Sequence, residues 1–193
     1  MSATKLYVRT RLWLLMIVAI AVWRILLTLH TGGLVLANFS PLGAMAIFGG
    51  ACFSSRWKAI GFPLLTLWIS DVVLSKLVFF DHWQLFYSGW YFTYGAFVLM
   101  TLAGRWIIRR ITIGRVGMAA LASTFIHWII SDIGVWLDGR TYPLTWQGWV
   151  ECLIAAIPFE LRLLAGTLVY GAVLFGVAVW ITRKAAQPAI SQS

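Results

Sequence analysis

Acidic side chains are scarce in this chain, six among 193 residues, and all charged residues together make up only 11%. So little charge cannot cover a water-soluble globule of this size. Cysteines number two, Cys52 and Cys152. In a helical membrane chain they fall toward opposite faces, so neither a disulfide framework nor a thiol metal cluster is expected. No glycine-rich loop followed by Lys-Ser/Thr is present, which leaves the chain without a visible means of hydrolysing ATP. Nor do the apolar runs alternate with period two, as the strands of a membrane barrel would.

What is abundant is apolar surface. Hydrophobic residues make up 61% of the chain and the mean hydropathy is +0.87. The apolar runs separate at charged or Gly/Pro/Ser-containing breaks into six segments of a length suited to a hydrocarbon core of about 30 Å. They lie at about 11–30, 41–55, 57–80, 88–108, 114–137 and 158–182. The last belongs to an apolar stretch that begins near residue 148, too long for one crossing. Pro158 is the natural break, giving an interfacial helix over 146–157 and a spanning helix after it. The expected fold is all-α, a single six-helix transmembrane bundle.

The basic residues give this bundle a direction. Lys5, Arg9, Arg11, Arg56, Lys58, Arg105, Arg109, Arg110, Arg115, Arg183 and Lys184 all fall on one side of a six-span layout, eleven of the fifteen Lys and Arg. By the positive-inside rule that side is cytoplasmic, as are both termini of a multi-pass membrane protein. The formal charge of +9 is then a topology signal with some attraction for anionic lipid, and nucleic acid is not an expected partner. A basic start before an apolar run also suits a cleaved leader, with Val-Leu-Ala at 35–37 as the site. Arg24 within the run, and its length, favour a retained helix.

No acidic residue falls on the basic side. Asp71, Asp132 and Glu160 lie within spans, with Arg24, His127 and Arg162, and counting along the helices puts all six at or beyond the midplane toward the outside. A charge there is costly unless it meets a partner or a water-filled cavity. Two arginines and three acids nearly neutralise one another, so a shared polar pocket among the first, third, fifth and sixth helices is expected. The plain alternative is a set of structural ion pairs that fix helix register. Residues 81–94 (DHWQLFYSGWYFTY) and 135–149 load the outer loops with aromatics. These form an interfacial belt, or, through Trp90, Tyr91 and Tyr94, a wall on which a flat ring could stack. Asn38 and Ser40 fall on a loop placed to gate the pocket. Small residues recur on two faces, Ala46, Gly50 and Ser54 and then Gly114, Gly117, Ala120 and Ser123, as packing surfaces or as docking faces for another membrane protein. No metal or cofactor site is expected.

The stretches NFSPLGAMAIFGGACF at 38–53, ISDVVL at 69–74 and SDIGVWLDGRTYPLTWQGWVECLIAAIPFE at 131–160, with the six-span layout, resemble an uncharacterised family of small bacterial membrane proteins. That family is itself similar to the substrate-binding S components of energy-coupling factor (ECF) vitamin transporters. The resemblance implies a bundle that captures a vitamin-like molecule from outside, gated by outer loops, and docks on a transmembrane coupling subunit with two ATPases. S components commonly carry an Ala-x-x-x-Ala face on the first helix, where this chain has Ala19 and Ala21. The expected function is therefore a substrate-binding subunit of a small-molecule importer and not an enzyme. An outer-leaflet membrane enzyme using a carboxylate pair, or His127 and Asp132, as acid and base, and a membrane scaffold are the competing readings. His127 and Asp132 diverge by about 140° around one helix, which speaks against their meeting directly.

Overall fold

The computed structural model describes residues 10–30 and 38–186, with side chains through residue 182. Lys5, Arg9, the side chains of Arg183 and Lys184 and the Val-Leu-Ala site at 35–37 lie outside the described residues. Among those described there are six α-helices and no β-strand: α1 Thr10–His30, α2 Leu42–Cys52, α3 Arg56–Leu74, α4 Trp90–Ile107, α5 Ile113–Leu137 and α6 Trp146–Ala186. A π-helical turn, Ser75–Phe79, prolongs α3. Four helices are long and apolar enough to cross a membrane, namely α1, α3 with its π turn, α5 and α6, which is the build of a membrane protein.

Local sequence sets several of these boundaries. Ser55 caps α3 by accepting from the backbone N–H of Lys58, and Thr112 caps α5 by accepting from that of Arg115. Two buried hydroxyls turn back on their own helix, Thr66 to the carbonyl of Phe62 and Thr101 to that of Phe97, so these two bring no unpaired polarity into the apolar interior.

Two elements differ from the sequence expectation. The second apolar segment is an 11-residue helix, about 16 Å long, with every residue buried. It is a central post, packed against α3, α4, α5 and α6, and by itself it is too short to cross. Hydropathy cannot separate such a post from a lipid-facing span, because both are apolar all round. The second difference is at Pro158, where α6 does not divide: it runs for 41 residues, about 60 Å, with the proline inside it. Loss of one N–H donor is tolerated in a long apolar helix whose neighbours hold its course.

Glycine lets α2 sit where it does. A Cβ on Gly50 would lie 1.9 Å from the carbonyl oxygen of Thr101, and one on Gly104 would lie 2.5 Å from the backbone of Ile47, so α2 and α4 touch backbone to backbone. Of the two small-residue faces, the one through Ala46 and Gly50 is thus internal packing. On α5 the face is split: Ala120 and Ser123 are buried, whereas a Cβ on Gly114 or Gly117 would meet nothing.

Cross-helix contacts fix the directions. Trp13 donates to the carbonyl of Lys58 and Arg24 meets Asp71, so α1 and α3 run parallel. Cys152 Sγ lies 3.8 Å from the carbonyl oxygen of Asp132 and His127 meets Glu160, so α5 and α6 run antiparallel. The loops 38–41, 80–89 and 138–145 therefore share one end of the bundle, and 53–55 and 108–112 the other. Gly104→Ala, one methyl added at the α2–α4 contact, is expected to cost about 1–3 kcal/mol. Thermal unfolding in detergent checks it, with Gly114→Ala, at an open position, expected to leave the midpoint unchanged.

Candidate functional site

Charges brought into an apolar interior must find partners, and the first pair is Arg24 of α1 with Asp71 of α3. The guanidinium Nη1 lies 2.6 Å from Asp71 Oδ1 and also donates to the hydroxyl of Ser70, with both charged side chains largely buried. Ser70 passes the interaction on to the backbone carbonyls of Thr66 and Leu67. Nε of Arg24 is buried without a partner and remains a spare donor.

The second pair joins α5 to α6. His127 Nδ1 lies 2.7 Å from Glu160 Oε1, and the imidazole stands edge-on to Phe97 of α4 at 5.6 Å between ring centres. Glu160 is 6% exposed and its Oε2 has no partner; Asp132, 8% exposed, likewise has an unpartnered Oδ2. Asp132 lies within electrostatic reach of both His127 and Glu160.

Between the two pairs lies a cavity of about 330 Å³. Arg24, Asp71 and His127 supply its charged and ionisable lining, Asn38 and Ser40 line it from the loop before α2, and Leu42, Leu67, Phe97 and Leu163 provide apolar wall. The rest comes from the segment after α3: Ser75, Phe79, Phe80, Gln84, Leu85 and Tyr87, with Thr93 one turn into α4. That segment is tied down locally. The Ser75 hydroxyl accepts from the backbone N–H of Gln84 at 3.1 Å, and Lys76 Nζ reaches Asp81 Oδ1 at 3.0 Å. Asp81 adopts a left-handed φ of 56°, a conformation Asp tolerates better than most residues.

Five of the eleven sequence-picked residues, Arg24, Asn38, Ser40, Asp71 and His127, thus line one cavity. Glu160 stands behind His127 as its partner and itself lines a separate apolar groove between α5 and α6. Asp132 is near Glu160 but not in the cavity wall. Arg162 turns away, its guanidinium 5.5 Å from the centre of the Phe159 ring. Trp90, Tyr91 and Tyr94 also stay out of the lining: Trp90 packs on Phe86 and Tyr94 at 4.4 and 5.3 Å, and Tyr91 is mostly exposed beside Phe92.

Gln84 and Thr93 carry no signal of their own in the sequence, and Tyr87 is one of the outer-loop aromatics of the stretch 81–94. Gln84 Oε1 is buried without a partner, a spare acceptor. Burial, and then the charge of Asp71, push the Tyr87 phenol up to about 12, so it stays a neutral hydroxyl at physiological pH. Among the described residues no group of three His, Cys, Asp or Glu is placed to hold a metal ion. Cys52 and Cys152 are both buried and form no disulfide.

Asp71→Ala strands the Arg24 guanidinium and is expected to cost about 3–5 kcal/mol, while Arg24→Met with Asp71→Leu together recovers most of that loss. Unfolding midpoints of the single and double variants decide it: equal losses would mean that the pair is not what couples α1 to α3.

No curated protein and no solved structure matches the chain. A protein-family model does, over residues 4–190, and its description is a family of unknown function, DUF6580. With nearly the whole length matched, the chain belongs to that family, DUF6580.

Proposed function

We propose that this protein is a substrate-binding membrane subunit of a small-molecule importer, taking its ligand into the cavity between the Arg24–Asp71 and His127–Glu160 pairs. The observation that carries the reading is the cavity itself, about 330 Å³, with polar and apolar side chains in its lining, at the end of the bundle away from most of the basic residues. That volume is at the lower end of the range of about 300–1,000 Å³ typical of small-molecule sites and suits a vitamin-sized solute. The charge that lines it is nearly balanced, since Arg24 is already matched by Asp71. A ligand with net charge would be desolvated without a counter-ion, so the preferred solute is neutral or zwitterionic. Arg24 Nε offers it a donor and Gln84 Oε1 an acceptor.

In this reading the bundle spans six times with both termini in the cytoplasm of a bacterial inner membrane, α2 enclosed by the other helices and α4 turning Leu99 and Leu102 outward to the lipid. The positive-inside distribution supports the orientation. The segments 38–41 and 80–89 act as gates. Energy comes from elsewhere, through a coupling subunit with ATPases as in S components. The docking face would differ from theirs, because Ala19 is exposed on α1 while Ala21 is buried.

A second reading has one observation in its favour. His127, in the cavity wall, is hydrogen-bonded to a buried carboxylate, an arrangement that orients a general base in enzymes. The partner is Glu160 of α6.

Mass spectrometry of small molecules released from the purified protein, followed by binding to a vitamin panel, tests the importer reading. Gln84→Leu and Tyr87→Phe, both outside the helix core, are expected to weaken the retained solute about tenfold each. Absence of any bound solute sinks the importer reading, and chemical turnover of the solute moves the assignment to the enzyme.

A further inference from the structure

At the opposite end of the bundle a second cleft, about 220 Å³, opens between the start of α3 and the end of α4. Arg56, the first residue of α3, and Arg105, in the last turn of α4, line it at the outer edge. Nη1 of Arg105 is buried and has no hydrogen-bond partner. Ile60 and Leu102 line the cleft about one turn further into the bundle, and Gly50 of α2 closes its back. No carboxylate lines it, and Arg109 and Arg110 follow directly on α4. On either side stand two indoles turned outward, Trp57 at 85% and Trp106 at 76% exposure.

We propose that this cleft binds one anionic phospholipid, its phosphate held between Arg56 and Arg105 and its acyl chains running over Ile60 and Leu102. Guanidinium groups match phosphate oxygens with paired N–H donors, and an unpartnered N–H at the site is a donor in waiting. The order of chemistry along the cleft selects a lipid: cationic at the helix ends, apolar one turn deeper, with tryptophans at the depth where headgroups meet hydrocarbon. A free phosphate would make no use of the apolar floor. An acidic protein segment would need a broad polar surface, which the two exposed indoles interrupt. The inference needs only the membrane setting and is independent of what the cavity at the other end binds.

Native mass spectrometry of the full-length protein, delipidated and then titrated with phosphatidylglycerol or phosphatidylcholine, tests it. Wild type is expected to retain one phosphatidylglycerol under conditions that strip phosphatidylcholine. Arg56→Gln and Arg105→Gln should each lower its apparent affinity about fivefold, with a smaller effect from Arg109→Gln in the loop. Leu102→Trp keeps both arginines and obstructs the apolar floor, so it too should reduce retention and serves if an arginine variant fails to fold. The proposal falls if the two lipids are retained equally, or if Arg109→Gln matches Arg105→Gln. It also falls if Leu102→Trp changes nothing, which would mark a soluble-anion site, or if an acidic protein competes with the lipid for the cleft.

Discussion

The backbone contact of α2 with α4 is the constraint on which the rest of the arrangement depends. Within a membrane there is no hydrophobic drive to press one apolar helix on another, so association rests on close van der Waals fit, and glycine brings backbones nearest. Gly50 and Gly104 provide that fit at one end of the post. Toward its other end, Gly43 lies against Thr167, and Gly166 of α6 lies against the backbone of Ser40. Once α2 is seated, the segment carrying Asn38 and Ser40 has its position, and the cavity has one of its walls.

Around this post the polar residues follow from the cost of charge in a medium of low dielectric. Arg24 and Asp71 satisfy each other across α1 and α3, and His127 and Glu160 do so across α5 and α6. Neither pair exhausts its partners' capacity, for Arg24 Nε and Glu160 Oε2 are left over. Of the two, Arg24 lines the cavity, whereas Glu160 lines the separate groove between α5 and α6.

Much of this was legible in the sequence, and the failures have physical causes. The extents of α1, α4 and α5 follow from hydropathy and from caps such as Thr112, and the convergence of Arg24, Asp71 and His127 follows from the expense of burying charge at matching depths. Arg162 could not be placed by depth alone, since helical phase turns it toward Phe159 and away from its neighbour-but-one Glu160. The aromatics misled for a related reason: Trp90, Tyr91 and Tyr94 share one composition but pack among themselves, while the less conspicuous Gln84, Tyr87 and Thr93 reach the cavity. That α2 is a post and that Pro158 leaves α6 whole are tertiary facts, fixed by what surrounds those residues.

The length of α6 carries a consequence of its own. A straight rod of about 60 Å would have to lean by some 60° to fit within about 30 Å of hydrocarbon, well beyond the tilt of about 0–40° that membrane helices adopt. A helix that held straight would leave a good part of its length in headgroups or water, and a bend at Pro158 is the other way to shorten its reach across the bilayer. Since the same helix carries Leu163 in the cavity wall and Glu160 behind His127 and runs on to Ala186, one continuous helix links the two ends of the bundle.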